Sequence, residues 1–165
     1  MSSSEMTRDE LIFALVDASR RGSTGTVLFH HVIAEILGLN PTDLKCADLV
    51  AMRGAMSAGE LAEITGLTTG TITAVLDRLE KARFIQRVAD PNDRRRVLVE
   101  MISDRMPELH EIFGIIGKAH TEMLNDYTDE EIRVILRYAE QTEPFVYEQI
   151  NALREYAKSK NAAKS

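Results

Sequence analysis

Residues 57–102 read SAGELAEITGLTTGTITAVLDRLEKARFIQRVADPNDRRRVLVEMI, and the order of signals within them decides the fold. Ser57-Ala58-Gly59-Glu60 is an S-x-x-E capping box: the Ser57 hydroxyl accepts from a free backbone N–H while Glu60 reaches back to another, so a helix starts at Ala58. Leu61 and Ile64 give that helix one apolar side, and Gly66 can take the left-handed conformation that ends it. After a turn of a few residues, Thr68 or Thr69 caps a second helix in which Ile72, Val75, Leu76 and Leu79 recur at helical spacing and face a core. Its opposite face carries Thr69, Gly70, Thr73, Ala74, Asp77 and Arg78. Beyond Arg83 the period becomes strand-like in 84–89 and again in 97–101, with Asp90-Pro91-Asn92-Asp93 as turn chemistry and Arg94, Arg95 and Arg96 directly behind it. The segment is helix, tight turn, helix and two-stranded ribbon.

At these residues the chain resembles the MarR family of winged helix-turn-helix regulators. GELAEITGLTTGTITAVLDRLEKARFIQR and DPNDRRRVLVEMI together carry the resemblance, in the family's order and spacing. A helix-turn-helix outline alone is common, whereas DPNDRR at this distance behind LDRLEK is far more specific. The resemblance implies a recognition helix at about 68–81 in the major groove of double-stranded DNA, presenting Thr68, Thr69, Gly70, Thr73, Ala74, Asp77 and Arg78. It also implies a wing at about 84–101, with Arg87, Asp93, Arg94, Arg95 and Arg96 toward the flanking backbone or minor groove. Arg94 and Arg95 correspond to the family's DRR, and Arg96 is extra. Three positions depart from the pattern. Ala74 stands where many members carry arginine, Arg83 where most carry the glycine ending the recognition helix, and Ile102 where a threonine usually caps the next helix. A cation suits the helix C-terminus at Arg83, and Ser103 is available as the replacement cap.

The formal charge of −6 argues against DNA binding if taken over the whole chain, because affinity for duplex comes mainly from neutralised phosphates. Charge is unevenly spread, however. Between Asp77 and Arg96 seven basic residues face four acidic ones, a surplus of three, so the rest of the chain repels DNA while this segment attracts it. A length of 165 residues with 44% apolar content suits one domain of ordinary core size with an interaction arm. A single cysteine excludes an internal disulfide, and neither an apolar signal core nor a run of about 18 apolar residues occurs. A soluble, cytoplasmic protein without membrane contact is expected. Phosphate-cradling glycine loops, nucleophile elbows, H-E-x-x-H and cysteine pairs are absent, so no enzyme activity and no cofactor are expected.

Outward from the centre, residues 1–5 are polar and expected to fray. Leu11, Ile12, Leu15 and Val16 form one helical stripe, and Val27, Phe29, Val32, Ile33, Ile36 and Leu37 a second. The glycines at 22 and 25 between them weaken a helix and leave either a bend in one long helix or a short loop between two, and the resemblance implies the long, bent helix. Asn40 and Pro41 cap and open a further helix to about Met52. Cys46 on that helix has only Lys45 as a basic sequence neighbour, on another face, so a buried structural thiol is expected rather than an oxidant sensor. Adjacent His30 and His31 point about 100° apart on a helix, and His110 and His120 are ten residues apart, so no metal site is expected. The resemblance implies small aromatic or anionic ligands between the dimerisation helices and the winged domain, where a half-buried His30 would bind a carboxylate.

After the ribbon, Ser103 and Asp104 open a helix with Pro107 near its start, and Thr128 to Glu131 form a second capping box. Pro144 is expected to interrupt the helix that follows, with Phe145, Val146, Ile150, Leu153 and Tyr156 in a further amphipathic segment and 158–165 as polar tail. Apolar stripes at both ends exceed what a small winged core can cover, and a second subunit is the natural cover. The expected organisation is therefore mainly α with a small β-wing. It comprises an N-terminal dimerisation helix region (1–40), a winged helix-turn-helix domain (41–102), C-terminal dimerisation helices (103–160) and a disordered tail (161–165). The expected function is a ligand-responsive, homodimeric repressor on a pseudo-palindromic operator. The alternatives are a winged-helix protein-interaction module and a redox regulator acting through Cys46.

Overall fold

The computed structural model describes residues 6–162; the frayed segment expected at 1–5, and 163–165 of the expected tail, lie outside them. Helix α1 (Arg8–Ile36) leads into α2 (Pro41–Arg53), a short strand β1 (Met56–Ser57), α3 (Ala58–Thr65) and α4 (Thr69–Lys81). Strands β2 (Ile85–Ala89) and β3 (Val97–Met101), one 3₁₀ turn (Ser103–Arg105), α5 (Met106–Leu124) and α6 (Asp129–Ala162) complete the chain. This is the mainly helical fold with a small antiparallel wing that the sequence leads one to expect. Two compact units divide it, Met1–Ile112 and Phe113–Ser165.

In the first unit the local signals act as read. Ser57 Oγ accepts from the Glu60 N–H at 3.3 Å while the Ser57 N–H donates to Glu60 Oε2 at 2.7 Å, and Gly66 closes α3 at φ 72°. Asn40 Oδ1 accepts from the Asp43 N–H at 2.9 Å, with Pro41 opening α2 where a missing N–H costs no helical bond. Leu61, Ile72, Val75, Leu79, Phe84, Ile85 and Val99 are all but fully buried and form the centre of the unit, each contributing about 1.5–3 kcal/mol by leaving water. The sheet has the order β1-β3-β2, with Ile85 opposite Met101, Ala89 opposite Val97 and Met56 opposite Val99. Two-residue β1 carries no periodicity, which is why the sequence announces a two-stranded ribbon and the structure has three strands.

The end of α4 differs from an ordinary cap. The Phe84 N–H donates to the Leu79 carbonyl at 2.9 Å and the Arg83 N–H to the Glu80 carbonyl at 3.0 Å, which is a Schellman motif. Its left-handed position belongs to Arg83, at φ 59°, the one non-glycine residue with positive φ among those described. Its guanidinium reaches Asp104 at 3.0 Å.

Helix α1 is a single helix of 29 residues through both glycines, with the Thr26 hydroxyl donating to the Gly22 carbonyl. Only Ile33 and Ala34 within it are buried, so nearly all of its apolar stripe, with Phe13 76% exposed, faces outward. Ser103 does not simply replace the missing threonine as a helix cap: it begins the 3₁₀ turn that precedes α5.

In the second unit, the Thr128 and Glu131 box is formed, with the Thr128 N–H donating to Glu131 Oε2 at 2.8 Å. Pro144 does not break the helix as expected, since α6 runs uninterrupted for 34 residues. Proline removes one N–H, and the partner it deprives, the Glu140 carbonyl, belongs to an exposed residue where water can take that bond. Residues 158–162, expected as tail, are helical too: Lys158 pairs with Glu155 at 2.7 Å and Lys160 lies over the Tyr156 ring at 5.8 Å. No residue of α6 is buried in the single chain, and Phe145, Val146, Leu153 and Tyr156 are among its exposed apolar side chains.

Candidate nucleic-acid interface

The core-facing stripe of α4 fixes which face is left outward. Thr68 caps it, accepting from the Thr71 N–H at 3.2 Å. Thr69, Gly70, Thr73, Ala74 and Asp77 are exposed, and a Cβ at Gly70 would meet nothing within 4 Å, so the bare backbone there serves no packing need of the chain itself. The Thr73 hydroxyl donates to the Thr69 carbonyl at 2.9 Å.

The wing tip is shaped by two aspartates. Asp90 Oδ1 accepts from the Asn92 N–H at 2.8 Å and Asp93 Oδ1 from the Arg95 N–H at 3.0 Å, turns in which a short carboxylate stands in for backbone. Asp93 thus holds the main chain of Arg95 and not its guanidinium. The Asp90 N–H donates to the Arg96 carbonyl at 3.0 Å, closing the loop.

The arginines, alike in the sequence, separate sharply. Arg78 is exposed, as expected, yet makes a bidentate pair with Asp43 of α2, with Nε at 2.8 Å and Nη2 at 2.6 Å. Arg87 on β2 pairs with Asp77 at 2.6 Å and with Glu80, holding the ribbon to α4 and occupying the Asp77 carboxylate. Arg96 joins Glu60 at 2.7 Å and reaches Asp90 at 3.8 Å, tying the wing to the α3 capping box. Hydrogen bonds from Ser57, followed by Arg96, hold the Glu60 carboxyl down to about 2. Arg94 and Arg95 remain: their side chains are exposed and make no ion pair among the described residues. The partner acids Asp43, Glu60 and Glu80 were not singled out in the sequence for these roles. Asp43 and Glu60 carry first-turn and capping signals that already account for them locally, so nothing in the string betrays their tertiary bonds.

Away from this face, Cys46 is 1% exposed, and burial, then the Asp43 carboxylate, pushes its thiol up to about 11. A thiol held there stays protonated at neutral pH, opposite to what an oxidant sensor needs. His30 is half-buried, edge-on to Phe29 at 5.6 Å between ring centres, with Lys45 Nζ 3.0 Å from Nε2. An ammonium can only donate, so the imidazole accepts there. His31 is exposed on α1.

A three-strand wing hung behind two helices crossing at a tight turn defines a winged helix-turn-helix protein. Residues 39–97 match the model of the MarR family. The chain is 39% identical over 153 residues to the uncharacterized HTH-type transcriptional regulator YcgE of Bacillus subtilis, covering 93% of this chain and 99% of that one. A MarR family protein from Bacillus stearothermophilus has a similar fold, with a TM-score of 0.68 at 18% identity, covering 86% of this chain and 99% of that one. A mutant MarR from Escherichia coli complexed with operator DNA gives 0.54 at 18% identity, covering 83% and 99%. The chain belongs to the MarR family of transcriptional regulators, and it is not an enzyme. No helix among the described residues is long and apolar enough to cross a membrane.

Proposed function

We propose that the chain is a homodimeric repressor that reads a pseudo-palindromic operator with α4 and grips the flanking duplex with its wing. One observation carries this reading. Every other arginine of the 69–101 segment is bound to a carboxylate of the chain, and Arg94 and Arg95, at the tip of the hairpin, have no carboxylate partner among the described residues, which leaves their guanidiniums for phosphates or a minor groove. The open backbone at Gly70 and the hydroxyl of Thr73 support close approach and base contact by the first half of α4. That a similar fold, the E. coli MarR, has been captured on operator DNA is in keeping with it. Dimerisation is supported by the exposed apolar side chains of α1 and, separately, of α6 among the described residues. A twofold dimer would set half-sites about one helical turn, roughly 34 Å, apart.

Ligand control is part of the proposal: a small aromatic acid near His30 and Lys45 would meet a cation and an imidazole 3.0 Å apart. Such a ligand acts only through unequal affinity for DNA-competent and incompetent arrangements. The experiment is fluorescence anisotropy across a salt series, using the duplex that the wild-type chain enriches from a random library. Arg94→Ala and Arg95→Ala should each lower affinity for many sequences and reduce the log K against log salt slope by about 0.9 per lost contact. Unchanged slope and affinity in both would remove the wing from the interface. Millimolar salicylate that neither binds nor alters affinity would end the aromatic-acid reading.

A further inference from the structure

The bond between Asp43 and Arg78 is placed oddly for a surface regulator. Asp43 lies in the first turn of α2 with its side chain 3% exposed, and both of its oxygens are used. Oδ1 accepts from Arg78 Nη2 at 2.6 Å, and Oδ2 accepts from Arg78 Nε at 2.8 Å and from the Asn40 side-chain amide at 2.8 Å. Arg78 sits in the C-terminal half of α4, which is otherwise attached through the apolar Ile72, Val75, Leu76 and Leu79 and, on its exposed side, through Asp77 and Glu80 to Arg87 of β2; Arg78 is the polar tie from α4 to α2.

Apolar packing resists separation but is weakly directional. A fork-on-carboxylate pair fixes angle as well as distance, because two parallel N–H···O bonds lose alignment together. Groove-facing atoms lie about 5 Å from a helix axis, so a roll of about 10° displaces them by roughly 1 Å, enough to misalign base contacts. The Asn40 amide in turn holds the carboxylate from the α2 cap, so the acid is oriented before Arg78 meets it.

We propose that Asp43 is a positioning residue for DNA recognition: it sets the roll of α4 through Arg78, and Arg78 serves specificity through this bond and not by neutralising a phosphate. The inference rests on the reading that α4 enters the groove of DNA. It assigns to a buried acid of α2, remote in sequence from the recognition helix, part of the control over which operator is preferred.

The test uses the full-length chain with two probes, the duplex it enriches from a random library and a random-sequence duplex of equal length. Asp43→Asn keeps shape but removes the charge, and Arg78→Lys keeps the charge but not the fork. Each should lower affinity for the enriched duplex relative to random duplex at least tenfold; Arg78→Lys should leave random-duplex affinity and the salt slope as in wild type, whereas Asp43→Asn, which releases a cation, should lower neither, so the specificity ratio collapses in both. Circular dichroism well below the melting temperature checks that the fold is kept; if Asp43→Asn does not fold, Arg78→Lys decides. A ratio unchanged in the folded variants overturns the proposal. So does a pattern in which Arg78→Lys binds as wild type and Arg78→Ala loses about one counterion of slope per bound protomer, since Arg78 would then be a phosphate contact. A wild-type chain that enriches no duplex at all refutes the DNA reading itself, and the proposal with it.

Discussion

Arg83 offers a measurement of backbone strain. At φ 59° it holds the left-handed position of the Schellman motif that ends α4. An L-residue there costs roughly 1–2 kcal/mol, and glycine avoids that cost while losing about 0.5–1 kcal/mol more backbone entropy on folding. Arg83 also reaches Asp104 at 3.0 Å, but both side chains are mostly exposed, so the pair contributes at most about 0.5 kcal/mol. Comparing Arg83→Gly with Arg83→Ala removes the ion pair from both sides of the comparison and leaves the backbone term. Glycine should be more stable than alanine by about 0.5–1 kcal/mol, and level with or slightly above the wild type. In a chain of this size that is about 1–4 °C of melting temperature. Thermal unfolding by circular dichroism or calorimetry measures it, with protomer concentration held equal because assembly would itself shift the midpoint. An alanine variant as stable as the glycine variant would refute the reasoning, because residue 83 would then not be left-handed in solution.

Three further outcomes follow from the same geometry. With its thiol buried and raised to about 11, Cys46 should react with a disulfide reagent only at the rate of global or local opening, and the wild-type chain should bind DNA identically with and without peroxide; rapid labelling of the native chain would reverse that. Glu60 is held well below the ordinary carboxylate range, so its contribution is complete above about pH 4.5 and is lost as pH falls toward 2. Glu60→Gln, which can still cap, should therefore differ from wild type in urea midpoint at neutral pH and converge with it in acid, and a pH-independent difference would contradict the ion pair with Arg96. A chain ending at Glu143 loses the exposed apolar side chains from Phe145 to Tyr156 and should show a weakened dimer by light scattering, whereas an intact dimer would place the interface elsewhere.

What could be read from the string was whatever is local. Capping boxes at Ser57 and Thr128, the Asn40-Pro41 start and the 3.6-residue stripe of α4 each depend on neighbours within four positions, and each stands in the structure as read. Arg83 was half legible: the family's glycine at that place signals a left-handed residue, while the side chain argues only for a favourable charge. Strand β1 was invisible because two residues have no period, and the helix through Pro144 because a proline rule weighs one lost bond without knowing whether water can replace it. The fates of the arginines were the least legible. Three in a row at 94–96 look equivalent, yet 94 and 95 form the turn at the hairpin tip and only 96, just before β3, reaches Glu60, and no pattern in the sequence joins Arg78 to an acid 35 residues earlier.

That sorting alters the electrostatic picture of the whole chain. The surplus of three positive charges between Asp77 and Arg96 suggests a broad basic patch, but Arg78, Arg83, Arg87 and Arg96 spend theirs on Asp43, Asp104, Asp77, Glu80 and Glu60. The cations left at the wing tip are Arg94 and Arg95 on a chain of net charge −6. If the wings supply the phosphate contacts, a lone protomer gains about two released counterions and a dimer about four, so log K falls with log salt at a slope of roughly −2 or −4. Two contacts against an acidic body give a single lobe little hold on random duplex. In the proposed dimer, binding would then depend on both wings and both copies of α4 engaging at once, which would tie DNA affinity to whatever sets the distance between the two lobes and make that distance the quantity the proposed ligand has to change.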